Sequence, residues 1–171
     1  MIVRQEKPSD YDEVYELVKA SFAAAGHCDG DEQDYLNDLR KRDVFIPELS
    51  LVAVDDERIV GQIVLSKTVI TAHNGDFTEL LLSPLCVHPN YFRRGVARAL
   101  VDRALHIAAE KWYKAVFLCG EPKIYTKLGF EPSYLYQIYH IKDTEKTAQR
   151  SMVKELYNGA LKEISGTIDT I

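Results

Sequence analysis

The run LLLSPLCVHPNYFRRGVARALVDRALHIAAEKWYKAVFLCG constrains this chain more than any other feature. Val96, Leu100, Ala104 and Ile107 recur at helical spacing beside Ala97, Val101 and Ala108, so its middle predicts a helix with a wide apolar face. Such a face packs on a sheet. An apolar strand, residues 77–88, comes before the helix, and a second, KAVFLCG at 114–120, follows it. Strand, helix and strand in succession imply a parallel βαβ crossover.

Upstream the pattern is antiparallel. Leu51 to Val54 and Ile59 to Ile70 read as strands, joined by Asp55-Asp56-Glu57-Arg58. His73-Asn74-Gly75-Asp76 turns the chain into the strand from Phe77 to His88. Before this meander, MIVRQE reads as a short strand. A helix follows in which Val14, Leu17, Val18, Ser21 and Phe22 share a face, with Ser9 as the expected N-cap and Gly26 as the stop. DGDEQDYLNDLRKRD predicts a second, shorter helix. Downstream, Pro122 opens a short helix that Gly129 ends. SYLYQIYHIKD alternates as a late strand, and TAQRSMVKELYNGALKEI looks helical in part, with a break near Asn158-Gly159. The late strand is expected to leave an edge on which a homodimer could form. No repeat or linker interrupts the order, so residues 1–171 are expected to form one α/β domain. Hydrophobic residues are 46% of the chain, enough for a sizeable core.

Bulk properties exclude several classes. A net charge of −5 gives no general attraction for nucleic acid, so any anion site must be local. Three cysteines, without CxxC spacing, argue against a disulfide framework or zinc site and for a reducing, cytoplasmic location. None of the five histidines lies three or four residues from another, so no metal site is expected. The N-terminus lacks the apolar run of a signal peptide, and no window approaches about 18 consecutive apolar residues, so no membrane span is expected.

The chemistry gathers in the crossover. Pro84 removes a ladder donor from its strand and implies a bulge that parts the strand from its parallel neighbour. The loop HPNYFRRGVAR then brings backbone N–H groups to a helix start, where they and the positive dipole end can hold an anion. Gly95 lets a phosphate approach the backbone. Arg93, Arg94 and Arg98 add charge and bidentate donors. Arginine at a helix start opposes the dipole, which disfavours a purely structural role. The loop has neither the G-x-x-x-x-G-K-[ST] nor the G-x-G-x-x-G pattern, so an NTPase or dinucleotide site is unsupported.

The six residues Phe92-Arg93-Arg94-Gly95-Val96-Ala97 resemble the acyl-CoA loop [QR]-x-x-G-x-[GA] of the GNAT superfamily of N-acetyltransferases, with Phe92 where the family has Gln or Arg. LSPLCVHPNY resembles the family's L-x-V-x-P-x-Y lead-in, and IYTKLGF its Y-x-x-x-G-F motif, with Tyr125, Gly129 and Phe130 in place. Gly120-Glu121-Pro122 resembles the G-[DE]-P of a bacterial subgroup. The resemblance covers roughly residues 1 to 140. It implies a three-layer α/β/α fold: a mixed sheet with an antiparallel N-terminal meander and a splayed, parallel central strand pair.

The same resemblance implies a function. Acetyl-CoA would donate its acetyl group to an amine of a small molecule, peptide or protein, in a ternary complex. The Leu85 N–H would polarise the acetyl carbonyl, and the backbone of Leu85, Cys86 and Val87 would line the pantetheine arm. Amides from Arg93 and Arg94 through Gly95, Val96, Ala97 and Arg98 would hold the pyrophosphate. Tyr125 would give a proton or hydrogen bond to the departing thiolate, with Glu79, or else Glu121, as base. The alternatives are a CoA-binding sensor without turnover, or a structural module of the same fold.

Overall fold

The structure is a computed structural model that describes residues 1–25, 30–145 and 147–170. The chain divides into two compact units, Met1–Leu65 with Ser83–Ile107, and Ser66–Leu82 with Ala108–Ile171.

The first unit holds β1 (Ile2–Gln5), α1 (Tyr11–Ala25), α2 (Glu32–Leu39), β2 (Ser50–Asp55), the start of β3 (Arg58–Ala72), the end of β4 (Gly75–Val87) and most of α3 (Val96–Glu110). β1 pairs antiparallel with β2, and β2 with β3. The β2–β3 turn places Asp56 and Glu57 at φ 45° and 66°, the left-handed pair that a tight two-residue hairpin demands. On one face of these strands Val14, Leu17, Val18, Leu36 and Leu39 pack with Val52, Val64 and Cys86. On the other lies α3: a Cβ on Gly61 would stand 2.7 Å from Val96 Cγ1 and 3.0 Å from Leu100 Cδ1. Glycine at 61 is what lets the helix sit so near the strand.

The start of α1 differs from expectation. Pro8–Asp10 forms a short 3₁₀ turn first, and Asp10, not Ser9, serves the entry. Its Oδ2 accepts the Lys7 N–H at 2.7 Å and pairs with Arg4. Proline opens the turn early, and a carboxylate two residues later reaches back to the free N–H. Gly26, the expected stop, lies outside the described residues.

The second unit holds the rest of β3 and β4, then β5 (Ala115–Cys119), α4 (Pro122–Tyr125), β6 (Glu131–Pro132), β7 (Ile138–His140), β8 (Ser151–Glu155) and β9 (Gly166–Ile168). β4 and β5 pair in parallel at Leu80↔Val116 and Leu81↔Phe117, so the expected crossover is present in a mixed sheet. β5 pairs antiparallel with β8 along its length. Ile70, Phe117, Ile138, Val153, Leu161 and Ile164 form this unit's core.

Two expectations fail here. The late strand shrinks to β7, because Ser133–Tyr136 coils into a 3₁₀ turn and Gln137 goes left-handed at φ 57°. Helical residues around 151–155 are instead β8, with Ser151, Met152 and Val153 buried against β5. Pairing with a ready strand outweighs a weak helical pattern. After Gly159, at φ 77°, the chain makes tight turns rather than a regular helix.

Candidate active site

The first unit supplies the loop after β4. Pro84 lies within β4, past the Leu81↔Phe117 pair. Cys86 and Val87 are buried, and the Val87 N–H donates to Ser21 Oγ of α1 at 3.3 Å. His88 N–H donates to Val60 O at 2.8 Å, so the chain stays tied to β3 as it leaves the sheet. Pro89–Tyr91 makes a 3₁₀ turn, with His88 Nδ1 accepting the Asn90 N–H.

Residues 92–95 are exposed. Arg93 is left-handed at φ 61°, a conformation that costs a residue with a Cβ on the order of 1 kcal/mol. Gly95 is left-handed at φ 83°, and a Cβ there would meet nothing within 4 Å. Two left-handed residues flanking Arg94 turn the backbone just before α3, whose first N–H groups have no acceptor in their own helix. Turned N–H groups of this kind form anion-binding concavities, and the helix dipole adds to them. The Arg94 guanidinium stacks 4.6 Å over the Tyr91 ring. A cavity of about 570 Å³, lined by Glu13, Glu16, Arg58, His88, Tyr91 and Arg94 among others, opens beside it. Ala97 is half-buried and Arg98 exposed on the first turn, and Val96 is turned inward onto Gly61.

The second unit holds Glu79, Glu121 and Tyr125. Glu79 is 3% exposed, and its Oε2 accepts the Lys114 N–H at 2.8 Å and the Ala115 N–H at 3.2 Å. Burial pushes its carboxyl above the ordinary value, against the pull of those two N–H groups. Glu121 is exposed at the start of α4, where its carbonyl accepts the Ile124 and Tyr125 N–H groups. Tyr125 ends α4. Its ring forms a T-shaped pair with Phe130, centroids 6.0 Å apart, and burial, with a smaller contribution from Cys119, pushes its phenol up to about 12. The hydroxyl therefore keeps its proton at neutral pH.

Cys86 is no nucleophile: burial pushes its thiol up to about 12, which leaves almost no thiolate near neutrality. Among the described residues no group of three or more His, Cys, Asp or Glu could hold a metal ion. Two features went unread in the sequence. Ser21 shares the apolar face of α1, and a hydroxyl on such a face is the signal that something needs it; here it is the Val87 N–H. Gly120 lies against the Tyr125 ring, and nothing in its local sequence announces that contact.

Known proteins share this fold. A family model described as "Acetyltransferase (GNAT) domain" matches residues 3–133. The uncharacterized N-acetyltransferase YhbS of Escherichia coli strain K12 is 30% identical over 171 residues, covering 99% of this chain and 95% of that protein. A crystal structure of E. coli YhbS in complex with CoA superimposes with a TM-score of 0.84 at 29% identity, covering 98% of this chain and 88% of that one. A GNAT family acetyltransferase from Brucella melitensis, crystallised with acetyl-CoA, shares the fold at a TM-score of 0.77 and 20% identity, with 98% and 94% covered. With well over half of its length inside the family match, the chain belongs to the GNAT family of N-acetyltransferases.

Proposed function

We propose that residues 1–171 act as one enzyme domain that moves an acetyl group from acetyl-CoA to a primary amine of a small molecule, peptide or protein. The observation that carries this reading is the exposed loop 92–95, left-handed at Arg93 and Gly95, at the start of α3. The CoA in the YhbS crystal supports it. Acetyl-CoA supplies a thioester whose acyl carbon the amine attacks and whose thiolate leaves.

The chain's residues then take the following roles. Backbone N–H groups from Arg93 to Arg98 hold the pyrophosphate, with the arginines adding charge. The backbone of Leu85 to Val87 lines the pantetheine arm, and the Leu85 N–H polarises the acetyl oxygen. In the structure Ser21 Oγ already accepts the Val87 N–H, at 3.3 Å. Glu79 takes the amine proton, directly or through water, with Glu121 as the second candidate. Tyr125 serves the leaving sulfur. A phenol near 12 facing a thiolate near 8.5 would transfer its proton uphill by on the order of 5 kcal/mol, so a hydrogen bond that stabilises the thiolate is the better role.

Thermal unfolding with and without acetyl-CoA tests the reading, with ATP and NAD as controls. Ligand at about 100-fold its Kd adds roughly 2.7 kcal/mol, a rise of about 5–10 °C for a domain of this size. The expected result is a rise with acetyl-CoA alone. Folded protein that shows no rise would overturn it. An amine screen, read as thiol release, then identifies the acceptor class.

A further inference from the structure

We infer that Gly120 is a positioning residue for the Tyr125 hydroxyl. This rests on the proposed role of Tyr125. Gly120 is not one of the left-handed glycines, so its backbone does not require glycine. Space does. A Cβ on Gly120 would stand 2.8 Å from Tyr125 Cδ2, nearer still to Cε2, and 3.2 Å from Leu118 Cδ1. Carbon atoms in contact keep about 3.5–4.0 Å.

The ring also packs against the buried Phe130, their centroids 6.0 Å apart and their planes at 78°. The backbone on both sides is fixed. Gly120 N–H donates to Arg150 O at 2.9 Å, Tyr125 N–H to Glu121 O at 3.3 Å, and Phe130 N–H to Tyr125 O at 3.1 Å. Gly120 thus bounds the ring at its Cδ2–Cε2 edge, and Phe130 packs against it in a T-shaped pair. A methyl group on Gly120 displaces the ring by about 1 Å to restore carbon–carbon contact distance, and the hydroxyl at its far end moves with it. A hydrogen bond weakens steeply over that distance, and a misplacement of about 1 Å can cost 100-fold in rate.

A double-mutant cycle separates this role from plain packing. Turnover is read as thiol release from acetyl-CoA with the primary amine that reacts fastest in the acceptor screen, or with water if no amine exceeds it. The variants are Gly120→Ala, Tyr125→Phe and both together. Gly120→Ala is expected to lower kcat about 10–100-fold, with the KM for acetyl-CoA changed less than about threefold. In the Tyr125→Phe background the same alanine is expected to cost less than about twofold, because the hydroxyl it misplaces is gone. The melting temperature falls alike in both backgrounds, since a phenylalanine ring fills the same space. Equal loss of kcat in both backgrounds, or none in either, overturns the inference while leaving Tyr125 its role. Wild-type kcat in Tyr125→Phe overturns the role itself. Should Gly120→Ala fail to fold, Phe130→Leu removes the ring that Tyr125 packs against, and its kcat loss must likewise vanish without the hydroxyl; an additive loss sinks the idea.

Discussion

Glu79→Gln separates two jobs that one buried carboxylate could hold. Glu79 Oε2 accepts the N–H groups of Lys114 and Ala115, at 2.8 and 3.2 Å, where β5 begins. Glutamine keeps an oxygen for those donors but has no basicity. Each bond to a charged acceptor is worth about 1.5–3 kcal/mol, and each to a neutral one about 0.5–1.5. The two weakened bonds therefore cost about 2 kcal/mol together, and relief from burying a charge offsets part of that. At about 2–4 °C per kcal/mol the melting temperature at pH 7 moves by less than about 8 °C. Loss of a general base costs about 10²–10⁴-fold in kcat. The sign of the pH effect follows from burial, which raises the folded-state value of Glu79. Its neutral form is favoured in the fold, so that stability is full below the ordinary carboxylate value of about 4.3 and is lost as pH rises through the raised one. Calorimetry from pH 4 to 7 should show wild type losing ground to the variant across that window, and the acid limb of kcat/KM should vanish in the variant. A folded Glu79→Gln enzyme with wild-type turnover would refute the base role, leave Glu79 as an anchor for β5 and pass the proton to Glu121.

Three further outcomes are expected. Arg94→Glu puts an anion beside the proposed pyrophosphate site and should weaken acetyl-CoA binding on the order of 10–100-fold, read by calorimetric titration; unchanged affinity removes the loop from the site. Tyr125→Phe forfeits one hydrogen bond to a charged sulfur, about 1.5–3 kcal/mol, and should lower kcat about 10–150-fold with little change in acetyl-CoA affinity. Arg40→Met strands the carboxylate of Glu6, whose side chain is 1% exposed and which now takes Arg40 Nη2 at 2.6 Å and Ser50 Oγ at 2.7 Å. Stability should fall by about 3–5 kcal/mol in denaturant melts, and Glu6→Leu in the same chain should restore most of it.

The order of elements from β1 to β5 was legible because each carries its own period or turn chemistry. Val96, Leu100 and Ala104 mark α3 without help from any neighbour, and Asp55 to Arg58 can do little but turn. The chain beyond Phe130 was less legible, for a physical reason. Ser151 to Glu155 has no strong alternation, and it becomes β8 because β5 offers an edge 32 to 40 residues earlier, from Cys119↔Ser151 to Ala115↔Glu155. β9 is three residues long and lies against β3 and β7, so its local sequence had no pattern to show. Such pairings are decided by the partner, and a partner distant in sequence leaves no periodic mark.

The same distinction sorts the candidate site. The conformation of the loop after β4 was legible, because Gly95 signals a left-handed turn and adopts one at φ 83°. Arg93, also left-handed, carries a Cβ where glycine would be cheaper, and that strain sits beside the proposed anion site rather than in the core. Side-chain roles were less legible, because each depends on what stands opposite. Glu79 is a base candidate by position, yet its environment is two backbone donors 35 and 36 residues away. Gly120 is only five residues from Tyr125, but the contact depends on how α4 folds the ring back over it. In this chain, then, the part proposed to hold the donor is encoded by conformation and can be read locally. The part proposed to move protons is encoded by packing, so mutations meant to test it must control for packing. That is the reason the Gly120 and Glu79 tests each pair a rate with a melting temperature.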